Sequence, residues 1–113
     1  MLFVLYFYLD GPEIDQIPNQ TIVEESPLNV TCTAHSNPPV TSYYWSRPGS
    51  TYRDIEGTVL HIPSVLRSDA GVYTCHVGNV MLPTCEQHNI TGTGSRRTMV
   101  DVQCMYTLFS YQP

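Results

Sequence analysis

Four histidines and four cysteines are the residues best able to do chemistry in this chain of 113 residues. Cys85 and His88 come closest to the spacing of zinc ligands, but no second pair of ligands completes the pattern. His35 and His61 fall in different predicted segments, and neither a G-x-S-x-G elbow nor a glycine-rich phosphate loop occurs. We therefore expect no metal, no cofactor and no enzymatic activity.

The charge of the chain excludes a further class of function. Five Lys and Arg residues against ten Asp and Glu residues give a formal net charge of -5. Binding to the phosphate backbone requires a clustered basic surface, and the few basic residues here are scattered along the sequence. We therefore expect no nucleic-acid partner.

The cysteines and the glycosylation sequons together indicate the compartment. Three N-x-[ST] sequons begin at Asn19, Asn29 and Asn89. Four cysteines in so small a chain are typical of an oxidising secretory environment. Because the two signals agree, we expect an extracellular glycoprotein that carries N-glycans at these asparagines.

The elements that must position these residues are predicted to be β-strands. The 42% hydrophobic content supports one modest core, and nine prolines, seven glycines and eight tyrosines favour strands and turns over helices. Residues 14–23 suit an edge strand broken by Pro18. In the following segment apolar and polar residues alternate, which turns Val30 and Cys32 inward and the Asn29 sequon outward.

Further strands are expected later in the chain, joined by turns rich in proline and glycine. Val100 and Val102 share one face of the last of them. The predicted strands cover residues 41–47, 58–62, 72–77 and 98–103.

One series of residues has a spacing that matches a known family. Its members are Cys32, Trp45, Leu60, Ile62, Asp69, Gly71, Tyr73 and Cys75. This pattern resembles the immunoglobulin superfamily over nearly all of residues 11–103. The resemblance implies an all-β fold, an immunoglobulin-like Greek-key β-sandwich of about seven short strands in two sheets. The short interval between Trp45 and Leu60 indicates an intermediate-set or second-constant type without the extra strands of a variable domain.

The resemblance assigns roles to the matching residues. In that family a disulfide joins the two sheets beside a tryptophan, which implies a bond between Cys32 and Cys75 packed on Trp45. Leu60 and Ile62 would complete this core. Closing such a loop would stabilise the fold by about 4 kcal/mol on the chain-entropy model.

The bend before the second cysteine has its own implied roles. The hydroxyl of Tyr73 would bond back to the backbone of the bend, and Gly71 would supply permissive backbone. Asp69 would fix the loop, either as a backbone acceptor or in an ion pair with Arg53 or Arg67.

The remaining cysteines, Cys85 and Cys104, are left without an assigned partner. Residues 80–97 are expected to form a long exposed connection, which would either carry recognition or be a surface loop shielded by glycan. A strand from Thr98 would carry Cys104 about 20 Å from this connection, too far for an easy bridge. Cys85 would then be free, or paired with another domain or chain.

Both ends of the chain lack the features of a domain. Residues 1–10 are apolar but have neither a basic n-region nor a cleavage site. Residues 104–113 have no periodicity, and Cys104-Met105-Tyr106 can be encoded by a sequence like the donor end of an intron. Either an exon has been translated into its flanking introns, or a weak signal-like stretch and a tail flank the domain. Both interpretations place the domain at residues 11–103.

The expected function is that of an extracellular module in a tandem array of a cell-surface adhesion or recognition protein, with the parent protein anchored in the membrane. It would bind a protein, including a second copy of itself, or a glycan, or act as a spacer. One alternative is a secreted single-module immune or ligand-binding protein, which a genuine signal sequence would support. The other is an intracellular muscle-type structural module, which reduced cysteines and unmodified sequons would support.

Overall fold

The computed structural model describes residues 10–47, 55–83 and 89–104, and nine β-strands run through these ranges. Within the described ranges a 3₁₀ turn, Arg67–Asp69, lies between the seventh and eighth strands. The all-β prediction is confirmed. In chain order the strands are β1 (Asp10–Ile14), β2 (Gln20–Val23), β3 (Leu28–Thr31), β4 (Ala34–Asn37), β5 (Ser42–Ser46), β6 (Ile55–Glu56), β7 (Val59–Ile62), β8 (Gly71–Pro83) and β9 (Asn89–Gln103).

The strands form two layers. One is a five-stranded sheet in the order β2-β9-β8-β5-β6, and the other contains the antiparallel ladders β1-β4 and β3-β7. Only Cys32 and Thr33 separate β3 from β4. The N–H of Cys32 donates to the Thr58 carbonyl, and the Thr33 carbonyl accepts the N–H of Asp15, each at 2.8 Å. These two bonds link the two ladders into one layer.

The first predicted strand is divided between the layers. Ile14 ends β1, which pairs with β4, whereas β2 pairs in parallel with β9 in the opposite sheet. Pro18 lies between the two strands, where a missing N–H removes no ladder hydrogen bond. The proline therefore marks the point at which the chain crosses from one sheet to the other.

The core lies between the layers around one disulfide. Cys32 and Cys75 are bonded across a sequence separation of 43 residues, and Trp45 beside them is fully buried. The indole N–H of Trp45 donates to the Thr58 carbonyl at 3.1 Å, so its polar atom is satisfied. Leu60 is fully buried and Ile62 is half-buried at the edge of this core. The other buried apolar residues are Ile14, Ile17, Leu28, Val30, Val65, Tyr73, Val77 and Val100.

The predicted connection over residues 80–97 is wrong for most of its length. Strand β8 continues to Pro83 and β9 begins at Asn89, so a long antiparallel hairpin replaces the expected loop. Gly94 lies within strand β9. Glycine is needed at this position because a Cβ atom would lie 2.9 Å from the Pro12 carbonyl oxygen. Cys85 lies outside the described residues.

Two short strands were not expected from the sequence. Strand β4 covers residues 34–37, where no strand was predicted, and β6 adds a two-residue edge beside β5. Asp10 also pairs with Asn37, although the domain was predicted to begin one residue later. The described ranges therefore hold nine strands instead of about seven.

Candidate functional site

The bend before β8 is held by hydrogen bonds from side chains to the backbone. Asp69 Oδ2 accepts the N–H of Leu66 at 2.7 Å. The buried hydroxyl of Tyr73 donates to the carbonyl oxygen of Asp69 at 2.6 Å, in the geometry of a tyrosine corner. Both groups therefore contact the backbone of the bend itself.

Arg47 completes this bend, and sequence reasoning missed it. Its guanidinium donates to the carbonyl oxygens of Ser68 and Ala70 at 2.7 and 2.6 Å, and it stacks 5.3 Å from the Tyr73 ring centroid. Gly71 has a φ of 142°, and a Cβ atom there would meet Arg47 at 3.4 Å. The backbone conformation thus requires glycine here, while the guanidinium of Arg47 packs directly over it.

Arg67, one of the two partners expected for Asp69, makes a different ion pair. Its Nε atom lies 3.2 Å from Glu24 Oε2. This hydrogen bond, followed by the electrostatic influence of Cys104 and of Glu24, raises the pKa of Arg67. Arg53, the other expected partner, lies outside the described residues. Cys104 itself carries an exposed free thiol directly after β9.

The exposed side of the five-stranded sheet carries an ordered aromatic cluster. The rings of Tyr44 and His76 stack with centroids 4.5 Å apart and planes inclined by 11°. The His76 Nε2 atom lies 2.7 Å from Ser46 Oγ. We call this surface the tyrosine–histidine face; its residues, in two adjacent cross-strand rows, are Glu56, Tyr44, His76 and Ser95, then Ser46, Thr74 and Arg97.

Opposite charges border the tyrosine–histidine face. Exposed Arg97 lies on β9 at one side, and exposed Glu56 lies on β6 at the other. Between them, Tyr44, Ser46 and His76 are half-buried by their mutual contacts. The arrangement offers an aromatic centre with a donor at one border and an acceptor at the other, as protein-binding surfaces do.

The contact between Ser46 and His76 lacks, within the described residues, the third group that orients a catalytic histidine. In hydrolases the histidine is oriented by a third group, usually a carboxylate. Within the described residues the only hydrogen bond of the His76 ring is the one to Ser46. The pair therefore holds the imidazole in place on an open sheet surface.

The other two histidines among the described residues take part in isolated polar contacts. His35 lies 3.3 Å from Asp15 on the surface, and His61 pairs across strands with Asn29. Over residues 10–47, 55–83 and 89–104, no group of three His, Cys, Asp or Glu side chains is arranged to hold a metal. Cys85 and His88 fall outside these ranges. No helix in this part of the chain is long and apolar enough to cross a membrane.

Asn79 anchors the β8–β9 hairpin at the point where its outer part begins. Sequence reasoning also missed this residue. Its side chain is buried, donates to the Pro38 carbonyl at 2.9 Å and accepts the N–H of Gly92 at 3.1 Å. One amide group thus joins β8, β9 and the loop before β5. Beyond it, the hairpin continues without a β5 partner, since β5 pairs with β8 only as far as Gly78.

The sequons begin in different parts of the fold. Asn19 immediately precedes β2, Asn29 lies within β3, and Asn89 is the first residue of β9. Asn19 and Asn29 are exposed, and their amide oxygens accept hydrogen bonds from Met99 N–H and the His61 ring.

Comparison with known proteins adds the family context. The family model described as "Immunoglobulin domain" matches residues 11–79. The basement membrane-specific heparan sulfate proteoglycan core protein of Mus musculus is 36% identical over 76 residues, which are 61% of this chain and 2% of that protein. Cell adhesion molecule 4 of Xenopus laevis is 35% identical over 66 residues, covering 55% of this chain and 17% of that protein. The chain thus spans a small fraction of the length of these relatives.

Solved structures share the fold at low sequence identity. The two-domain structure of DIP-gamma IG1+IG2 has a TM-score of 0.63 and 22% identity, with 81% of this chain and 48% of that chain covered. A chain of the complex between titin M10 and the obscurin-like 1 Ig domain has a TM-score of 0.59 and 17% identity, with 87% and 99% covered. At these identities the similarity is one of fold.

Proposed function

The chain belongs to the immunoglobulin domain family, and from this premise we propose that it is an extracellular adhesion or recognition module that binds a protein partner. The tyrosine–histidine face is the observation that carries the proposal. Its central rings are already stacked and hydrogen-bonded, so binding would cost little side-chain entropy. Its borders offer a guanidinium and a carboxylate for orientation of the partner.

The relatives support a module of a larger protein. This chain matches only 2% and 17% of the length of the two curated relatives, one of which is named as a cell adhesion molecule. The Cys32–Cys75 disulfide is consistent with an oxidising compartment. We therefore infer that the module, proposed to cover residues 11–103, works beside other domains in a membrane-anchored parent, by binding and without catalysis.

The experiment compares the two layers as binding surfaces. Beads coated with the disulfide-bonded module are mixed with beads carrying a second copy, and separately with an array of extracellular domains of cell-surface proteins. Arg97→Glu and His76→Ala should each weaken binding by about tenfold or more, because they alter the centre and one border of the face. Val59→Glu, on the exposed surface of the opposite layer, should leave binding unchanged.

Two results would contradict this proposal. Loss of binding with Val59→Glu but not with Arg97→Glu would place recognition on the other layer. Reduced Cys32 and Cys75 in the native protein, with no binding to either probe, would instead favour an intracellular structural module.

A further inference from the structure

Two of the three sequons begin at asparagines that are exposed and hydrogen-bonded, Asn29 within β3 and Asn19 directly before β2. Asn29 lies opposite His61 in the β3-β7 ladder, where buried and exposed residues alternate strictly along β3. Asn19 lies beside Met99 of β9. Thr21 and Thr31, the hydroxyl residues of these sequons, are exposed as well. The complete N-x-T motif is therefore on the surface at both positions.

The hydrogen bonds at these two asparagines use the amide oxygen. Met99 N–H donates to Asn19 Oδ1 at 3.1 Å, and His61 Nδ1 donates to Asn29 Oδ1 at 2.5 Å. Oxygen can only accept, so the Nδ2 group of each amide points to the other side. Within the described residues neither Nδ2 group makes a hydrogen bond. A substituent on Nδ2 would therefore break no contact of the fold.

We propose that Asn19 and Asn29 are both N-glycosylated, each through Nδ2, while each amide oxygen keeps its hydrogen bond to the protein. The reaction transfers an oligosaccharide from a lipid pyrophosphate donor. A bond forms between Nδ2 and the anomeric carbon of the first sugar, and the bond from that carbon to the lipid pyrophosphate breaks. The pyrophosphate leaves with the electron pair, and the amide loses one of its two hydrogens as a proton.

The two oligosaccharides would divide the surface of the module. The Asn29 glycan covers the exposed surface of the β3-β7 ladder, where Val59 is otherwise 41% exposed. The Asn19 glycan lies at the β2 border of the five-stranded sheet beside Met99, which is 50% exposed. Along β9, Ser95 is four residues from Met99, or about 13 Å. Arg97, two residues or about 7 Å from Met99, is nearer to this glycan. The row through Tyr44 and His76 is therefore the part of the tyrosine–histidine face that stays most open to a protein partner.

This inference rests on the extracellular location proposed above, and its test is a mass measurement independent of partner binding. The chain is directed into the secretory pathway of mammalian cells, and its intact mass is measured before and after peptide-N-glycosidase treatment in ¹⁸O water. Peptide mapping then locates the ¹⁸O label, which marks each asparagine that carried a glycan. We expect label at Asn19 and Asn29.

Matched variants separate the modification from the role of the asparagine side chain. Thr21→Ala and Thr31→Ala should each remove one oligosaccharide mass, whereas Thr21→Ser and Thr31→Ser keep the sequon and should retain it. After deglycosylation, Thr21→Ala should unfold at the same denaturant concentration as the unmutated chain. Asn19→Leu should unfold at a lower concentration, because it also removes the acceptor for Met99 N–H.

Absence of label at either asparagine in folded, secreted protein would overturn the proposal for that site. A chemical shift of the Met99 amide or the His61 ring that moves to its solvent-exposed value on glycosylation would overturn the retained hydrogen bonds. If both sites are labelled but the beads show no binding, the glycan assignment stands and the proposed function fails.

Discussion

The bend before β8 and the outer part of the β8–β9 hairpin are both held by polar side chains, but they differ in what surrounds them. At the bend, Arg47, Asp69 and Tyr73 make their hydrogen bonds next to the disulfide-centred core. In the hairpin, Asn79 is the anchor, and the strands continue beyond the last residue paired with β5. We infer a rigid half built around the disulfide and a hairpin end that, apart from its own β8–β9 ladder, is tied to the rest of the fold by one amide.

Removal of the disulfide should lower the free energy of unfolding most, because it destabilises the core of the rigid half. The double variant Cys32→Ala, Cys75→Ala is expected to lose about 2–5 kcal/mol of unfolding free energy, because the unfolded chain regains its entropy and the core around Trp45 loses two sulfurs. Urea denaturation followed by Trp45 fluorescence measures the loss. Cys104→Ala, which removes an exposed thiol, is the control and should change stability by less than about 0.5 kcal/mol.

Arg47→Ala tests whether the bend is part of that rigid half. The variant leaves the carbonyl groups of Ser68 and Ala70 without a charged donor and removes the stacking on Tyr73, at an expected cost of about 2–3 kcal/mol. Arg67→Ala is the matched control, because its ion pair with Glu24 is on the surface and should contribute less than about 1 kcal/mol. Equal losses in the two variants by urea denaturation would show that Arg47 does not anchor the bend.

Of the three changes, Asn79→Ala should reduce the free energy of unfolding least, and its effect should be confined to the hairpin. The part-buried N–H of Gly92 loses its acceptor, and the Pro38 carbonyl loses one of two donors but keeps Ser36 Oγ at 2.6 Å, so we expect a loss of about 1–2 kcal/mol. Amide hydrogen exchange should accelerate at Gly92 and Thr91 and remain unchanged at Cys75. Val80→Ala, an exposed neighbour on the same strand, serves as the control. Uniform acceleration over both regions would refute the distinction between them.

The residues around the disulfide could be predicted from the sequence because each has a type and a spacing that few other folds require. Cys32, Trp45 and Cys75 stand at the family's intervals, and strict alternation along β3 places Val30 inward and Asn29 outward. The hydroxyl of Tyr73 also reaches the bend as expected. These features are local or tied to one motif, so a single sequence is enough to reveal them.

Features that depend on register or on carbonyl acceptors could not be predicted in the same way. Arg47 bonds to carbonyl oxygens, which every residue has, so no partner stands out in the sequence. The stack of Tyr44 on His76 depends on the pairing of β5 with β8. Gly94 lies in the segment predicted to be a connection, and only the close approach of β1 explains a glycine within a strand.

The parallel pairing of β2 with β9 has a mechanical consequence for a module joined to neighbours at both ends. Tension applied before Gln20 and after Gln103 would draw the two strands past each other along their length. The backbone hydrogen bonds of the four paired positions would then be loaded in shear and would resist the force together, instead of breaking one after another. The first and last strands of the five-stranded sheet along the chain, β2 and β9, are thus paired in the geometry that resists tension best.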